Sequence, residues 1–366
     1  MKSILFITAF PPNSKTAGQN YTKLLLEDLA RHGYSVDLLY FAFPNHTLEV
    51  GEGVKVLKEF FPSKKNILFH PFLYPLFSKR YDKEVLHYIN SIASNYDILY
   101  FDFSQVHIYS KFITHPFKIL MCHDVIYQKT KRQFPIFLLW EKHTERSILK
   151  SAKMILTFSQ KDSDLIRVVY GLKALPVNFY LKDSILEKLP ETERNAFCFY
   201  GAWNRKENYE ALLWFIKNVL PKVSRELQFK VIGGGMNEKV QKKISLMNNF
   251  EYMGFIDNPI SEIANCQALI APLLHGAGVK VKVIDALSSG TKVIGTEIAF
   301  EGISDNKNYP LFIRCQTRND FVAVLNNWHT DFSERKLHAA KEFFCRYDKN
   351  HLLELLEKTI SEASSC

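Results

Sequence analysis

Short apolar runs alternate with amphipathic segments along most of the chain, and this alternation predicts βαβ units built around parallel sheets. In the first half the pattern predicts six strands, at Ser3–Thr8, Val36–Phe41, Ile98–Phe103, Lys118–Cys122, Met154–Phe158 and Leu175–Tyr180. It also predicts four helices, at Gln19–Arg31, Lys83–Ala93, Phe137–Leu149 and Asp162–Val169. We therefore expect one doubly wound domain at residues 1–182.

A polar segment at residues 183–195 has the composition of a linker, and the same rhythm resumes after it. The second half is predicted to contain strands at Phe197–Gly201, Phe229–Ile232, Phe250–Gly254, Ala268–Pro272 and Lys292–Gly295. Its predicted helices are Tyr209–Leu220, Pro259–Ala264 and Lys282–Leu287. We expect a second doubly wound domain at residues 196–345, followed by a C-terminal helical segment at 346–366.

Length and composition agree with two globular domains. The 366 residues exceed what one hydrophobic core usually organises, and no apolar run reaches the about 18 to 20 residues of a membrane span. The apolar N-terminus runs into Pro11 and Pro12 without a cleavage site, so we interpret it as a strand rather than a signal peptide. The six cysteines show no CxxC spacing, which favours reduced thiols and a cytoplasmic protein.

The positive charge is confined to the first half of the chain. Residues 1–182 hold 24 Lys or Arg against 15 Asp or Glu, whereas the remainder holds 23 of each. A basic surface can face nucleic acid, an anionic membrane or a phosphorylated substrate. Aromatic residues and leucines alternate with lysines at Phe60–Lys65 and Phe72–Arg80, which suits a membrane interface, although an ordinary half-buried basic face explains the pattern equally well.

The most specific segment is Ala271–Thr296, which is predicted to run from a strand through a glycine-rich turn into a helix. Gly276 and Gly278 let backbone NH groups approach an anion. The helix dipole and the two lysines Lys280 and Lys282 add positive charge for a diphosphate. Asp285 lies on much the same helix face as Lys282 and is placed to accept hydrogen bonds from ribose hydroxyls.

This segment resembles the donor-site motif of the GT-B glycosyltransferases of the large retaining family 4 type, in the subgroup with a Gly-x-Gly-[ST]-[RK]-x-K-x-x-E-A pattern. The resemblance implies an α/β protein with two Rossmann-like, doubly wound domains that face a central cleft. It assigns the diphosphate to Lys280 and Lys282 and the ribose to Asp285. The chain departs from the family at the acidic positions, because Asp285 stands where the family has Glu, and Ala277 replaces the first Glu of the E-x7-E form.

Other parts of the second half resemble the same family. Phe199–Asn208 resembles the loop that opens the donor domain, Val231–Gly235 the next strand end, and Tyr252–Asp257 the loop that reads the base. Glu301 and Gly302 match a common pair to which the sequence assigns no role. The residues expected to bind the donor are Gly18, Gly201, Arg205, Lys206, Gly233, Phe255, Gly276, Ala277, Gly278, Val279, Lys280, Lys282 and Asp285.

In the first half the resemblance rests on two short segments. Gly18 lies in a loop that enters a helix, as in the family's loop near the donor phosphates and the acceptor, and a plain βα turn explains it almost as well. His123 follows a predicted strand and matches the family's histidine that contacts the donor sugar. The neighbouring Asp124 is an alternative helix cap. His123 and Lys280 are the candidate catalytic residues.

No metal site is expected. Asp162-Ser163-Asp164 has the form of a DxD motif, but Ser159 followed three residues later by Asp162 fits the start of a helix. No HExxH, GKS/GKT, GxSxG or clustered Cys/His pattern is present, which removes the usual metallohydrolase, P-loop and α/β-hydrolase interpretations.

The resemblance implies a retaining, metal-independent transfer from a nucleotide-diphosphate sugar to a glycan or lipid-linked acceptor, in the synthesis of cell-envelope polysaccharide or glycoconjugates. It implies no cofactor apart from the donor, no nucleic-acid partner, and a C-terminal helix that packs back toward the first domain. The expected location is the cytoplasm or the inner face of the cytoplasmic membrane. Two alternatives stay open, namely a GT-B-type sugar-nucleotide epimerase or hydrolase, and a nucleotide-binding protein without catalysis.

Overall fold

The computed structural model describes residues 2–44, 46–177, 196–303, 311–329, 341–343, 345 and 350–364. Contacts divide the chain into a first unit, residues 1–180 with 349–366, and a second unit, residues 181–348. The predicted linker at 183–195 lies outside the described residues.

The first unit is built on a seven-stranded parallel sheet. Its strands are β1 (Ser3–Thr8), β2 (Ser35–Phe41), β3 (Val54–Phe60), β4 (Ile98–Asp102), β5 (Lys118–Cys122), β6 (Met154–Thr157) and β7 (Leu175–Pro176). They lie in the order β3-β2-β1-β4-β5-β6-β7. Every residue of β4 and β5 is buried, as expected for central strands covered on both faces. The first five predicted strands end within one residue of the observed bounds, whereas β3 was not predicted.

Helices connect these strands. They are α1 (Ala17–Arg31), α2 (Lys65–Phe69), α3 (Pro75–Ser78), α4 (Lys83–Ile92), α5 (Ile126–Gln133), α6 (Leu138–Leu149) and α7 (Gln160–Tyr170). Side-chain caps fix three of their starts, because Thr16, Asp82 and Ser159 each accept a hydrogen bond from a backbone NH in the first turn of α1, α4 and α7. The predicted cap by Ser159 is therefore confirmed.

The second unit repeats this architecture with a six-stranded parallel sheet. Its strands are β8 (Ala196–Tyr200), β9 (Gln228–Ile232), β10 (Phe250–Gly254), β11 (Ala268–Ala271), β12 (Lys292–Gly295) and β13 (Phe312–Arg314). Their order is β10-β9-β8-β11-β12-β13. The helices are α8 (Lys206–Asn218), α9 (Glu238–Ser245), α10 (Pro259–Ala264), α11 (Val281–Ser288) and α12 (Arg318–Asn326). Two doubly wound α/β domains were predicted, and both are present.

The last helix, α13 (Asn350–Ser364), belongs to the first unit although it follows the second in sequence. Leu352, Leu353 and Leu356 are buried along one side of it. The charge of Glu357 contributes, after burial, to a raised pKa of Tyr34, which places α13 close to the end of α1. Among the helices that the structure describes, all are too short or too polar to cross a bilayer.

Each sheet contains a switch point, where successive connections leave in opposite directions. In the first unit it lies between β1 and β4, and in the second it lies between β8 and β11. Ligands of open α/β sheets bind outside the carboxyl ends of the strands at such a point. The loops that follow β1, β4, β8 and β11 are therefore the places to look for functional side chains.

Candidate functional site

Glycines bring two loops of the second unit into close contact at the carboxyl ends of β8 and β9. Gly233 has a φ of +117°, and a Cβ atom on it would lie only 2.1 Å from the carbonyl oxygen of Gly201. The backbone NH of Trp203 donates to the carbonyl of Gly234 at 2.9 Å. Only glycine fits at position 233, so both predicted glycines shape the floor of the site.

The glycine-rich loop after β11 is held by the lysine that follows it. Lys280 donates through Nζ to the carbonyl oxygens of Ala277 at 3.0 Å and Gly278 at 2.5 Å. Its Nζ also lies 3.9 Å from a carboxylate oxygen of Glu301, and both side chains are nearly buried. Glu301, to which the sequence assigned no role, is thus the counter-ion of Lys280. Of the remaining loop residues, Gly276 and Val279 are half-buried.

Lys282, in the first turn of α11, is a half-buried cation at the centre of the site. Its Nζ donates to Oδ1 of Asn208 at 2.7 Å, and Nδ2 of Asn208 donates to the carbonyl of Ala202 at 3.0 Å. Burial first, and then the nearby charges of Lys280 and Arg205, lower the pKa of Lys282 to about 7. An anion at this helix start would restore its full charge.

Asp285 lies one turn further along α11 and is half-buried. Burial first, and then the carboxylate of Asp285, raise the pKa of Tyr200 at the end of β8. Asp285 therefore lies beside the switch point between β8 and β11, where the sequence predicted a ribose contact.

An open groove of about 550 Å³ lies beside these loops. It is lined by Trp203, Asn204, Lys206, Tyr209, Glu210, Gly235, Met236 and Asn237. Lys206 extends into solvent and pairs loosely with Glu210 at 3.6 Å, while His275 contacts the same carboxylate at 2.6 Å. Phe255 packs near Gly234 and stays 65% exposed. An exposed ring over a glycine leaves a flat apolar face next to the groove.

In the first unit, Asp102 and His123 form a hydrogen-bonded pair next to the switch point. Nε2 of His123 lies 2.8 Å from Oδ1 of Asp102. The other carboxylate oxygen accepts hydrogen bonds from Thr8 at 3.2 Å and from Thr22 at 2.6 Å. Asp102 is fully buried, and its hydrogen bond with Nε2 fixes the orientation of the imidazole, so that Nδ1 points away from the carboxylate.

Contacts with Phe103 and Gly18 define the surroundings of the His123 ring. It stacks on Phe103 with a centroid distance of 3.6 Å, and Phe103 has a φ of +67°, which is strained for a residue with a side chain. A Cβ atom on Gly18 would lie 3.0 Å from the Phe103 ring and 3.3 Å from Nδ1 of His123. The two residues predicted in this half therefore lie together, and the missing side chain of Gly18 leaves room beside Nδ1.

The alternative interpretations of nearby acidic residues are resolved by their contacts. The first amides of α5, those of Ile126 and Tyr127, donate to the carboxylate of Glu145, and the residue at the cap position is Val125. Ser159 caps α7, as predicted, because its hydroxyl accepts from the backbone NH of Asp162 and donates to the Asp162 carboxylate. Within the described part of the chain, His, Cys, Asp and Glu do not form a group of three or more that could hold a metal ion.

Family models match both halves of the chain. Residues 18–178 match the model described as Glycosyltransferase Family 4, and residues 194–331 match the model described as Glycosyl transferases group 1. A curated relative, an uncharacterized 44.6 kDa protein in the cps region of Klebsiella pneumoniae, is 31% identical over 127 residues. That match spans about a third of each protein, at 31% of this chain and 32% of the relative.

Solved structures of the GT-B fold match over the full length. Sucrose-phosphate synthase from Thermosynechococcus elongatus has a TM-score of 0.72 at 13% identity and covers 100% of both chains. HepE from Anabaena in complex with UDP has a TM-score of 0.65 at 14% identity, with 99% of this chain and 100% of HepE covered. TarM of S. aureus, in a complex with UDP and glycan ligands, has a TM-score of 0.69 at 12% identity, with 97% and 98% covered. At such low sequence identities, the structural similarity establishes only the fold of this chain.

Proposed function

This chain belongs to the group 1 glycosyltransferases of family 4 type and has the GT-B fold, and on that premise we propose that it transfers a sugar from a nucleoside-diphosphate sugar to a glycan or lipid-linked acceptor. The observation that carries the proposal is Lys282, a half-buried cation at a helix start whose pKa is lowered to about 7. Burying a cation is costly, and Glu207 offsets only part of the effect of burial and of the cations Lys280 and Arg205, so the site favours a bound anion.

The second unit is proposed to bind the donor. The diphosphate would lie at the start of α11, where the backbone amides of the first turn, the helix dipole and Lys282 all favour negative charge. Arg205 is near enough to Lys282 to influence its pKa and would reach the same phosphates. Asp285 would accept hydrogen bonds from the ribose, and the exposed face of Phe255 would contact the base. HepE, which shares the fold, binds UDP and UDP-glucose, and this supports a nucleotide sugar here.

We propose a retaining transfer that needs no metal ion. The bond between C1 and the diphosphate breaks, a bond between C1 and the acceptor oxygen forms on the same face, and the acceptor proton passes to the leaving phosphate oxygen. Lys282 and Arg205 would stabilise the charge that develops on the diphosphate. Lys280, bonded to its own loop, would keep the backbone amides of that loop in place. His123, oriented by Asp102, would accept a hydrogen bond from a sugar hydroxyl.

An assay of sugar transfer tests the proposal. With a labelled nucleotide sugar and membrane or glycan acceptors, Lys282→Ala should lower the rate by roughly a hundredfold, because one cation on the leaving diphosphate is lost. Lys217→Ala is the matched control, since Lys217 is an exposed lysine in the last turn of α8 and belongs neither to the groove lining nor to the expected donor residues. Equal rates for Lys282→Ala and wild type would rule out this donor site.

A second candidate is a sugar-nucleotide epimerase or hydrolase. The Asp102–His123 pair favours it, because a carboxylate-oriented histidine is suited to move a proton. Incubation with the nucleotide sugar alone separates the two functions. Rapid appearance of an epimer or of free sugar without acceptor supports this candidate, whereas turnover that depends on an acceptor supports transfer.

We further propose that the first unit contacts an anionic membrane. Exposed apolar side chains of two distant segments form one surface: Phe61, Leu68, Phe69, Phe72, Phe134, Ile136, Phe137 and Leu139. Trp140 joins the segments, because its Nε1 donates to the carbonyl of Phe72 at 2.9 Å and its ring meets Tyr74 edge-on at 5.8 Å. We call this set the apolar surface.

The charge around the apolar surface fits anionic lipid. Residues 60–79 and 125–140 hold six Lys or Arg and no Asp or Glu. Aromatic rings at headgroup depth flanked by cations are typical of proteins that lie on membranes, and each cation adds about 1 kcal/mol near an anionic surface. Phe72 exposes 90% of its surface and Ile136 exposes 86%. A patch of such highly exposed apolar side chains usually marks an interaction site.

Vesicle sedimentation tests this contact. Wild type should sediment with vesicles of phosphatidylcholine and phosphatidylglycerol and much less with phosphatidylcholine alone. Phe72→Ser/Lys131→Glu should bind roughly tenfold more weakly, because an apolar contact and a cation are lost. Leu246→Ser/Lys243→Glu changes an equally exposed pair in the second unit and should bind as wild type does. Equal binding by both double variants would refute the surface, and concentration-dependent dimers without vesicle binding would assign it to a second copy.

We also propose a cytoplasmic location, at the inner face of the membrane. Cys122, Cys198, Cys266 and Cys315 are buried thiols that are not in disulfides, which suits a reducing compartment. The cps-region relative supports a role in polysaccharide synthesis.

A further inference from the structure

Arg80 is a buried cation at the carboxyl end of β1, next to the switch point of the first unit. Only 4% of the residue is exposed. Its Nε donates to the carbonyl oxygen of Ala9 at 3.3 Å, and its guanidinium lies 4.7 Å from the centre of the Phe10 ring. These contacts place the guanidinium over the first residues after β1.

Most of the hydrogen-bonding capacity of Arg80 is unused. A guanidinium has five N–H donors, and among the described residues only the Nε–H of Arg80 has an acceptor. No carboxylate in that part of the chain pairs with it, and burial lowers the pKa of Arg80 to about 10. Because buried charges are normally paired, an arginine in this state is suited to an anion from outside.

Lys118 shows how this fold treats a structural cation. It is also buried, yet its Nζ donates to the carbonyl oxygens of Ser110 at 2.7 Å and Ile113 at 2.8 Å. Its charge is therefore solvated by the protein itself. Arg80 lacks this arrangement, although it lies in the same unit and is more deeply buried, at 4% exposure against 9% for Lys118.

Arg80 and His123 flank the same row of aromatic rings. Phe10, beneath Arg80, meets Phe103 edge-on at 5.1 Å, and Phe103 stacks on His123 at 3.6 Å. Positive charge also extends along the chain, since burial and then the charges of Arg80 and Lys64 lower the pKa of Lys79. Phe10 and Phe103 are only half-buried, so part of the aromatic row stays accessible to a sugar, with a cation at one end and an imidazole at the other.

We propose that the guanidinium of Arg80 binds a phosphate or diphosphate group of the acceptor, and that the aromatic row between Arg80 and His123 supports the acceptor sugar. The acceptor is therefore an anionic, phosphate-bearing saccharide. That it is the acceptor rests on the proposed transferase function. The anion site itself does not, because it belongs to the first unit and involves none of the donor-binding residues.

Inorganic pyrophosphate is the probe for this site. The Lys282→Ala variant removes the main cation of the donor site, and pyrophosphate is titrated into it while its ³¹P line width is followed. Adding Arg80→Gln should raise the Kd roughly tenfold or more, because charge-assisted hydrogen bonds to the anion are lost. Adding Lys118→Met instead should lower stability without changing the Kd.

Two outcomes would contradict the proposed anion site at Arg80. One is that Lys282→Ala does not bind pyrophosphate, and the other is that adding Arg80→Gln to it leaves the Kd unchanged. If Arg80→Gln does not fold, Arg80→Lys decides, because it keeps the charge but loses the planar fork and should weaken binding about threefold or more. An unchanged Kd for Arg80→Lys would then refute the proposal.

One comparison identifies the source of the phosphate, and a second one separates failure of the anion site from failure of the donor site. Geranyl diphosphate that binds more tightly than pyrophosphate indicates a lipid-linked acceptor, and equal affinity indicates a water-soluble phosphorylated glycan. Arg80→Gln alone should keep the thermal shift that wild type shows with its nucleoside diphosphate. If wild type shows no such shift, the proposed donor site is contradicted. The pyrophosphate titration would still test the anion site at Arg80, because it does not depend on the donor site.

Discussion

Lys282 is the residue whose charge depends most on what is bound. Its pKa is lowered to about 7, first by burial and then by Lys280 and Arg205, so at pH 8 the free protein holds it largely neutral. A diphosphate at the start of α11 offsets both effects, because its negative charge favours the charged form of the lysine. Binding is therefore coupled to proton uptake.

Nucleoside diphosphate binding at pH 8 should take up about half a proton or more at Lys282, and uptake should fall toward zero at pH 6, where the residue is already charged. Affinity should accordingly decrease as the pH rises above 7. Calorimetry in buffers of different ionisation enthalpy measures the proton number. Lys282→Met corrects for protons exchanged by the nucleotide itself, and the same proton number in wild type and Lys282→Met at pH 8 would contradict the assignment.

Asp102 is predicted to act through His123 rather than on substrate. Asp102→Asn removes the charge that orients the imidazole and should lower kcat about tenfold to a hundredfold, with the KM for the donor unchanged. Thr22→Val removes a different hydrogen bond of the same carboxylate and should leave kcat within about twofold. Steady-state kinetics distinguish the two variants, and parallel losses in both would indicate a merely structural carboxylate.

Among single residues, the sequence was sufficient to propose those that lie in a recognisable local motif. It was not sufficient for residues whose proposed role depends on partners distant in sequence. Lys280, Lys282 and Asp285 lie within one segment whose glycines and charges coincide, so they could be predicted. Asn208 lies 74 positions from Lys282, and the partner of Asp102 lies 21 positions away. A carboxylate that ends an apolar strand was the available signal for Asp102. The contacts of Arg80 depend on chain packing and had no such signal.

At the scale of elements, α5 and α6 are joined by a buried pair of carboxylates. Glu145 accepts the first amides of α5, and the hydroxyl of Tyr170 on α7 donates to both Glu145 and Glu141. Burial first, and then Glu145, raise the pKa of Glu141 to about 9. The two acids therefore share a proton at neutral pH and hold three helices together.

Glu141→Gln should stabilise the protein at alkaline pH. The unfolded chain releases the proton of Glu141 near pH 4.3, whereas the folded protein retains it until about pH 9. Between these values the folded state binds more protons, so its stability falls as the pH rises through that window. The variant should gain about 1–3 kcal/mol at pH 8.5 relative to wild type and less at pH 5. Urea unfolding at both pH values checks this, and a gain independent of pH would refute it.

The elements that sequence patterns missed are the polar and short ones. β3 is an edge strand in which most residues are partly or fully exposed, so its hydrophobic alternation is weak. α5 carries four consecutive polar residues at Lys129–Arg132, which hide its amphipathic character. Central strands such as β1 and β5, in contrast, are continuous apolar runs and were predicted with their observed bounds.

At the scale of the whole molecule, alternation of strands and helices was sufficient to predict two doubly wound domains. The observed sheet order sets the switch points, and the candidate site residues lie next to them. The domain bounds around residues 182 and 196 stay predictions, because residues 178–195 lie outside the described part of the chain.

The central claim is that the second unit binds a nucleoside-diphosphate sugar at the start of α11, and a thermal-shift screen tests it most directly. UDP, GDP, ADP, CMP and dTDP are compared on wild type, Lys282→Ala and the control Lys217→Ala, since a specific ligand raises the apparent stability by mass action. The account predicts a shift with one nucleoside diphosphate that Lys282→Ala abolishes and Lys217→Ala keeps. No shift with any nucleotide, or a shift that Lys282→Ala leaves unchanged, would contradict it.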